Sequence, residues 1–154
     1  MTTSMLKFIA CLLMLIDHMG AVFFPRIIIL RMIGRISYPI FAYLIAIGYC
    51  KTSSFYKYIC RLLIFALVSQ IPFSLVFSER IKIHSFFDFF IFIFGRPYLH
   101  LNIFFTLAIG LIAIRVWDIV KSLLFKTMTI LGLGIIAEIF NTDYGLYGVA
   151  IILY

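Results

Sequence analysis

The sequence predicts an all-α protein: a polytopic transmembrane helical bundle of about five to six membrane segments with short interfacial pieces. Three observations carry that prediction. Hydrophobic residues make up 65% of the 154 positions and charged ones 12%. The mean hydropathy is +1.18, far outside the balance of a soluble domain. Apolar runs of bilayer length alternate with short polar turns along the whole chain. Residues 1–154 therefore read as a single transmembrane domain, and no loop is large enough to hold a separate soluble catalytic unit. Any chemistry must use side chains within the helices or at their ends.

The formal net charge is +7, but the basic residues are scattered between apolar segments and form no groove-sized stripe, which argues against nucleic acid as a partner. They read as membrane-flanking charges that meet lipid phosphate or another anion. Cys11, Cys50 and Cys60 lack CxxC spacing, and His18, His84 and His100 lack an HExxH arrangement. Neither a disulfide framework nor a metal site is expected.

The first span, Met5 to Phe24 (MLKFIACLLMLIDHMGAVFF), carries Asp17 and His18 inside an otherwise apolar run. An ionisable residue this deep costs about 2.5–3.5 kcal/mol on insertion scales, so the pair is a functional-site hypothesis by default. The competing reading is a polar contact that joins helices. Lys7 stands eleven residues before His18, which at 100° per residue puts the two within about 20° of one face and about 16 Å apart along the axis. Asp17 lies about 100° round the helix from His18 and is expected to face another helix. The lack of a small-residue cleavage site argues that this segment is retained rather than removed as a signal.

Pro25 ends the first span, and the stretch RIIILRMIGR is expected to lie at or dip into the interface. Arg31 and Arg35 are i,i+4 neighbours if it is helical and could present two guanidinium groups to one anion, although snorkelling to lipid phosphate explains either one equally. The second span is predicted from Ile36 to Tyr49, with Tyr38 placing a hydroxyl near the arginines. A third runs from Tyr58 to Phe77, with Arg61 near its first turn, Gln70 deep inside and a kink at Pro72. Gln70 reads as an interhelical hydrogen-bonding residue or a substrate contact.

Ser78 to Ser85 is the most polar stretch, and Phe86 to Phe94 is too short to cross, suggesting an interfacial or re-entrant piece. A fourth span is predicted from Leu99 to Val116. Its Asn102, Thr106, Gly110 and Ala113 form one small, polar stripe, suited to close helix packing or, for Asn102, to a role in the site. A fifth runs from Thr127 to Phe140, followed by the turn NTDYG, in which Asp143 is a further candidate for supporting a site. Leu146 to Tyr154 is too short to span, so either it lies flat or the domain continues beyond this sequence. With the N-terminus inside, seven basic residues fall on the inner side (Lys7, Lys51, Lys57, Arg61, Arg115, Lys121, Lys126) and six on the outer, a narrow bias toward that orientation.

Five blocks, KFIACLLMLIDHMG, RMIGRISYPIFAYLIAIGY, RLLIFALVSQIPF, LNIFFTLAIGL and DYGLYGV, resemble in that order the TraX family of membrane proteins, covering Lys7 to Val149. The resemblance implies an acetyltransferase of the inner (cytoplasmic) membrane that modifies the N-terminus of pilin in conjugative systems, with acetyl-CoA as acyl donor. It also implies kinship with membrane acyltransferases in which a basic residue and a histidine eleven positions later on the first helix, with later arginines, form the acyl-transfer site. Lys7 and His18 keep that spacing, with Lys where Arg is more usual. On this reading His18 is the base or the acyl carrier, with Asp17 beside it. Lys7, Arg31, Arg35 and Arg61 are the cations for the donor's phosphates or a developing oxyanion, and Tyr38, Gln70, Asn102 and Asp143 support the site. The acceptor could be a protein, a glycan or a lipid. The alternatives are a non-catalytic membrane assembly protein for pilus or conjugation machinery, and an ion or proton carrier using Asp17, His18 and Glu138.

Overall fold

A computed structural model describes residues 2–77 and 101–153. The described chain is helical: α1 (Thr3–Val22), α2 (Ile28–Gly34), α3 (Ser37–Lys51), α4 (Phe55–Phe77), α5 (Ile103–Ile119), α6 (Leu123–Ile139) and α7 (Gly145–Leu153). Among the described residues, three stretches are long and apolar enough to cross a membrane: α1, the continuous run from Ile28 to Lys51, and α4 from Phe55 to Val76. α5 and α6, at 17 residues each, stand at the lower end of spanning length, about 17 residues. The polar loop and aromatic run expected between Ser78 and Phe94 lie outside the described residues.

Local chemistry sets the helix ends. Thr2 caps α1, its side chain accepting from the Met5 N–H at 3.4 Å. Ser54 accepts from the Lys57 N–H at 3.5 Å, so α4 starts three residues before the apolar run alone suggested. The arginine-bearing stretch after Pro25 forms the seven-residue helix α2, packed against α1, and leads almost directly into α3. The break between them follows from Pro39. Proline has no N–H to give the Arg35 carbonyl, and the Tyr38 N–H bonds that oxygen instead, at 3.2 Å. Ile36 similarly donates to Ile33, so the chain tightens for one turn before continuing.

α5 is the hub, packing against α3, α4, α6 and α7. Its small stripe is buried: Thr106, Gly110 and Ala113 face inward, and the space a side chain at Gly110 would need is filled by Ile152 of α7. The core gathers Tyr38 and Ala42 of α3, Leu62 of α4, Leu107 and Leu111 of α5, and Ile152. Outward faces carry bare apolar side chains such as Phe8, Ile64 and Leu123, as a surface bathed in hydrocarbon requires.

The bundle has two chemically distinct ends. At one, Tyr49 donates to Asp118 at 2.9 Å and accepts from Arg115 at 3.2 Å, tying α3 to α5. At the other, the α1–α2 turn, the end of α4, the start of α5 and the α6–α7 loop converge. The loop is held by a parallel bridge between Leu101 and Thr142, with Leu101 donating to Asn141 at 3.1 Å and Asp143 donating to Leu101 at 3.0 Å.

Candidate functional site

Asp17 and His18 sit in the last turns of α1, at the end where these four elements meet. There they line a cavity of about 410 Å³ together with Ser37, Ser69, Phe73, Asn102, Asp143 and Tyr144. Residues far apart in sequence thus face one space. A helix turn alone could not have assembled it; the α6–α7 loop has to fold back over the start of α5.

His18 is fixed by its own helix. Nδ1 lies 2.8 Å from the Met14 carbonyl oxygen, and because a carbonyl only accepts, Nδ1 must carry hydrogen. In the neutral ring the lone pair is then on Nε2. The Phe73 ring meets the imidazole edge-on, at 6.2 Å between centroids and 88° between planes. Asp17 is not the group that sets the tautomer. Its Oδ1 lies 4.0 Å from Arg31 Nε and is buried with no hydrogen-bond partner among the described residues. Gly34 of α2 is pressed against Asp17 so closely that an added Cβ would lie 2.5 Å from the Asp17 Cα. The glycine is what lets α2 bring Arg31 alongside α1.

Asn102 holds the cavity floor together. Its side-chain oxygen caps α5 by accepting from the Phe104 N–H at 3.0 Å, and Nδ2 donates to the Ala66 carbonyl at 2.8 Å and to Ser69 Oγ at 3.1 Å. Its backbone N–H donates to Gln70 Oε1 at 3.0 Å, and Gln70 in turn donates to Ser74 at 3.1 Å. Gln70 is fully buried and lines none of the cavities described; its bond from the Asn102 N–H ties α4 to the start of α5.

Tyr144 stacks on Tyr38, with centroids 3.9 Å apart and planes within 19°. Tyr38 is fully buried and its hydroxyl has no hydrogen-bond partner among the described residues; it backs the cavity through Tyr144 rather than reaching the arginines. Burial, reinforced by the charge of Asp143, pushes the Tyr144 hydroxyl well above the usual phenol range, so in this loop it remains a proton-bearing donor.

A second cavity of about 490 Å³ runs along the opposite half of α1, lined by Lys7, Lys51, Gly48 and Tyr58, and it shares Cys11 and Phe104 with the first. The two therefore adjoin, with a lysine pair toward one end and His18 toward the other. Arg35 lines a third cavity beyond the α6–α7 loop. Arg61 is exposed on α4 and lines none of these spaces. Of the residues expected at a site, Asp17, His18, Asn102 and Asp143 come together, Arg31 joins through Asp17, and Lys7 connects by the adjoining cavity. Sequence reasoning missed Lys51 and Tyr144. Lys51 reads as an ordinary helix-end charge, and the only signal for Tyr144 is its place beside Asp143 in the turn. No group of three or more metal-ligating side chains occurs among the described residues.

A family model described as "TraX protein" matches residues 2–154. A stretch of 77 residues, 49% of the chain, is 35% identical to an uncharacterized protein of Rickettsia prowazekii (strain Madrid E), covering 29% of that protein. The match thus spans less than a third of the length of that curated relative. No solved structure matches.

Proposed function

The chain belongs to the TraX family, and from that membership and the geometry of the adjoining cavities we propose that it is an integral membrane acetyltransferase of the cytoplasmic membrane. It transfers the acetyl group of acetyl-CoA to an amine or hydroxyl acceptor such as a pilin N-terminus. The observation that carries this reading is the tautomer of His18: with Nδ1–H held by the Met14 carbonyl, Nε2 carries the lone pair in the neutral ring and can take a proton from the acceptor.

The remaining residues take roles that follow from their places. Lys7 and Lys51 offer two positive charges to the donor's phosphates, and their cavity adjoins the one that His18 lines, at Cys11 and Phe104. The separation of Lys7 and His18, about 16 Å of helix, suits a long, thin donor arm better than a compact substrate. At the histidine end, Nε2 accepts the proton of the attacking N–H or O–H as the new bond to the acetyl carbon forms. The carbon–sulfur bond then breaks, and the leaving thiolate takes that proton back from the ring. Tyr144 supplies an O–H for the negative charge that develops on the carbonyl oxygen. Arg31 holds Asp17 at the rim.

The test uses membranes containing the protein, incubated with acetyl-labelled acetyl-CoA and probed for labelled protein, glycan and lipid. Transfer by the parent protein, and its loss in His18→Ala that still inserts and folds, is the expected result. Transfer that persists undiminished in His18→Ala would remove the mechanism.

A further inference from the structure

The hydroxyls of Tyr38, Thr106 and Thr142 have no hydrogen-bond partner among the described residues and are sealed away from any open surface. Ser37, the first residue of α3, differs from them. It is buried to 2% accessibility and its side chain makes no hydrogen bond among the described residues, yet Oγ keeps open surface and the residue lines the cavity of His18. Its backbone N–H is uncommitted as well. The N–H groups of Arg35, Ile36 and Tyr38 donate to the Arg31, Ile33 and Arg35 carbonyls across the junction of α2 and α3, and that of Ser37 does not join them. A donor withdrawn from water without a partner is costly, and one that opens on a cavity is available to whatever binds there.

Register places this hydroxyl at the height of the imidazole. α2 and α3 run opposite to α1: Gly20 meets Leu30, Gly34 meets Asp17, and Lys7 and Lys51 line one cavity. Ser37 stands three residues beyond Gly34, about 4.5 Å further toward the lysine end at 1.5 Å per residue. The same step back along α1 from Asp17 reaches Met14, whose carbonyl holds His18 Nδ1 at 2.8 Å.

We propose that Ser37 is a further catalytic residue, its Oγ–H donating to the carbonyl oxygen of the acetyl group; the inference rests on the acetyl transfer proposed above. As the acceptor's nitrogen or oxygen bonds to the acetyl carbon, the carbonyl electron pair moves onto oxygen, where Ser37 and Tyr144 hold the charge. The pair returns as the carbon–sulfur bond breaks, and Ser37 keeps its proton throughout. The serine is a donor rather than a nucleophile because no base takes its proton: it has no hydrogen bond to His18 or to any other side chain described.

The experiment compares the parent chain with Ser37→Ala in membranes, measuring initial rates over acetyl-CoA concentration, with thermal unfolding of both proteins in detergent. Loss of one such donor should lower kcat about 100-fold while KM for acetyl-CoA changes less than about threefold, since the bond strengthens only in the transition state. The melting temperature should be unchanged or raised, because the substitution removes an unpaired hydroxyl. Parent-level kcat in Ser37→Ala would overturn the role of Ser37 alone, whereas no transfer by the parent chain would overturn the acetyltransferase reading with it. A Ser37→Ala protein that melts lower and loses kcat in proportion to its folded fraction would make the serine structural. Mass spectrometry of the parent incubated with acetyl-CoA and no acceptor is expected to find Ser37 unmodified; an acetyl ester on Ser37 would overturn the donor role in favour of a nucleophile.

Discussion

Replacing Gly34 with alanine tests whether α2 positions the end of α1 that carries Asp17 and His18, the proposed base. An added Cβ would lie 2.5 Å from the Asp17 Cα and 2.6 Å from its backbone N, whereas ordinary contact begins at 3.4 Å. The groups it meets include backbone and cannot swing aside as a side-chain tip would, so the two helices must separate by at least about 0.9 Å. Overpacking of this kind costs about 1–3 kcal/mol. A displacement near 1 Å at a catalytic group can cost about 100-fold in rate. Asp17 and His18 move with α1, which changes the cavity they line with Asp143 and Tyr144, so the rate should suffer more than the fold. The assay pairs acetyl transfer with thermal unfolding in detergent. A Gly34→Ala protein that transfers acetyl groups at the parent rate would refute the reasoning that close α1–α2 packing sets the geometry.

Asn102→Ala removes a helix cap and two side-chain donations between α4 and α5, and should lower stability by about 2 kcal/mol, read by denaturant titration of the solubilised protein. Lys7→Gln combined with Lys51→Gln should raise KM for acetyl-CoA about tenfold or more with kcat little altered, as expected when binding common to ground and transition states is lost; initial-rate kinetics over donor concentration separate the two. Gly110→Ala forces Ile152 aside and should destabilise by about 1–3 kcal/mol. By contrast Gly132, where a Cβ would meet nothing within 4 Å, should accept alanine with a gain of up to about 1 kcal/mol in helix propensity; comparison of melting temperatures checks both.

Much of the architecture is legible in the sequence because burial in lipid leaves few choices. Apolar length marks the helices, and polar interruptions mark their ends. Boundaries slip where a cap or a proline acts outside the apolar pattern, as at Ser54 and Asn102. The Arg31 stretch shows what pattern alone does not give: its helix packs on α1 through Gly34 while Ile28, Ile29 and Met32 stay exposed. At the site, a deep Asp17–His18 pair is conspicuous in sequence, since ionisable groups rarely stand in such a helix without a use. Which nitrogen of His18 carries the hydrogen, however, depends on a hydrogen bond to its own backbone four residues earlier. That Lys7 pairs with Lys51, and that Arg35 faces the opposite side of the α6–α7 loop from His18, depends on tertiary folding. One-dimensional spacing places groups on a helix face but does not say which neighbouring element that face meets.

The most direct measurement of the central claim is the single-turnover rate of acetyl transfer by His18→Gln. Glutamine can still donate an N–H to the Met14 carbonyl and so preserve a structural hydrogen bond, but it has no basic lone pair to accept the acceptor's proton. A base at position 18 predicts a fall of about 100-fold or more with membrane insertion and melting temperature preserved. Parent-level transfer by that variant would show that the ring is not the base and that its hydrogen bond to Met14 is structural.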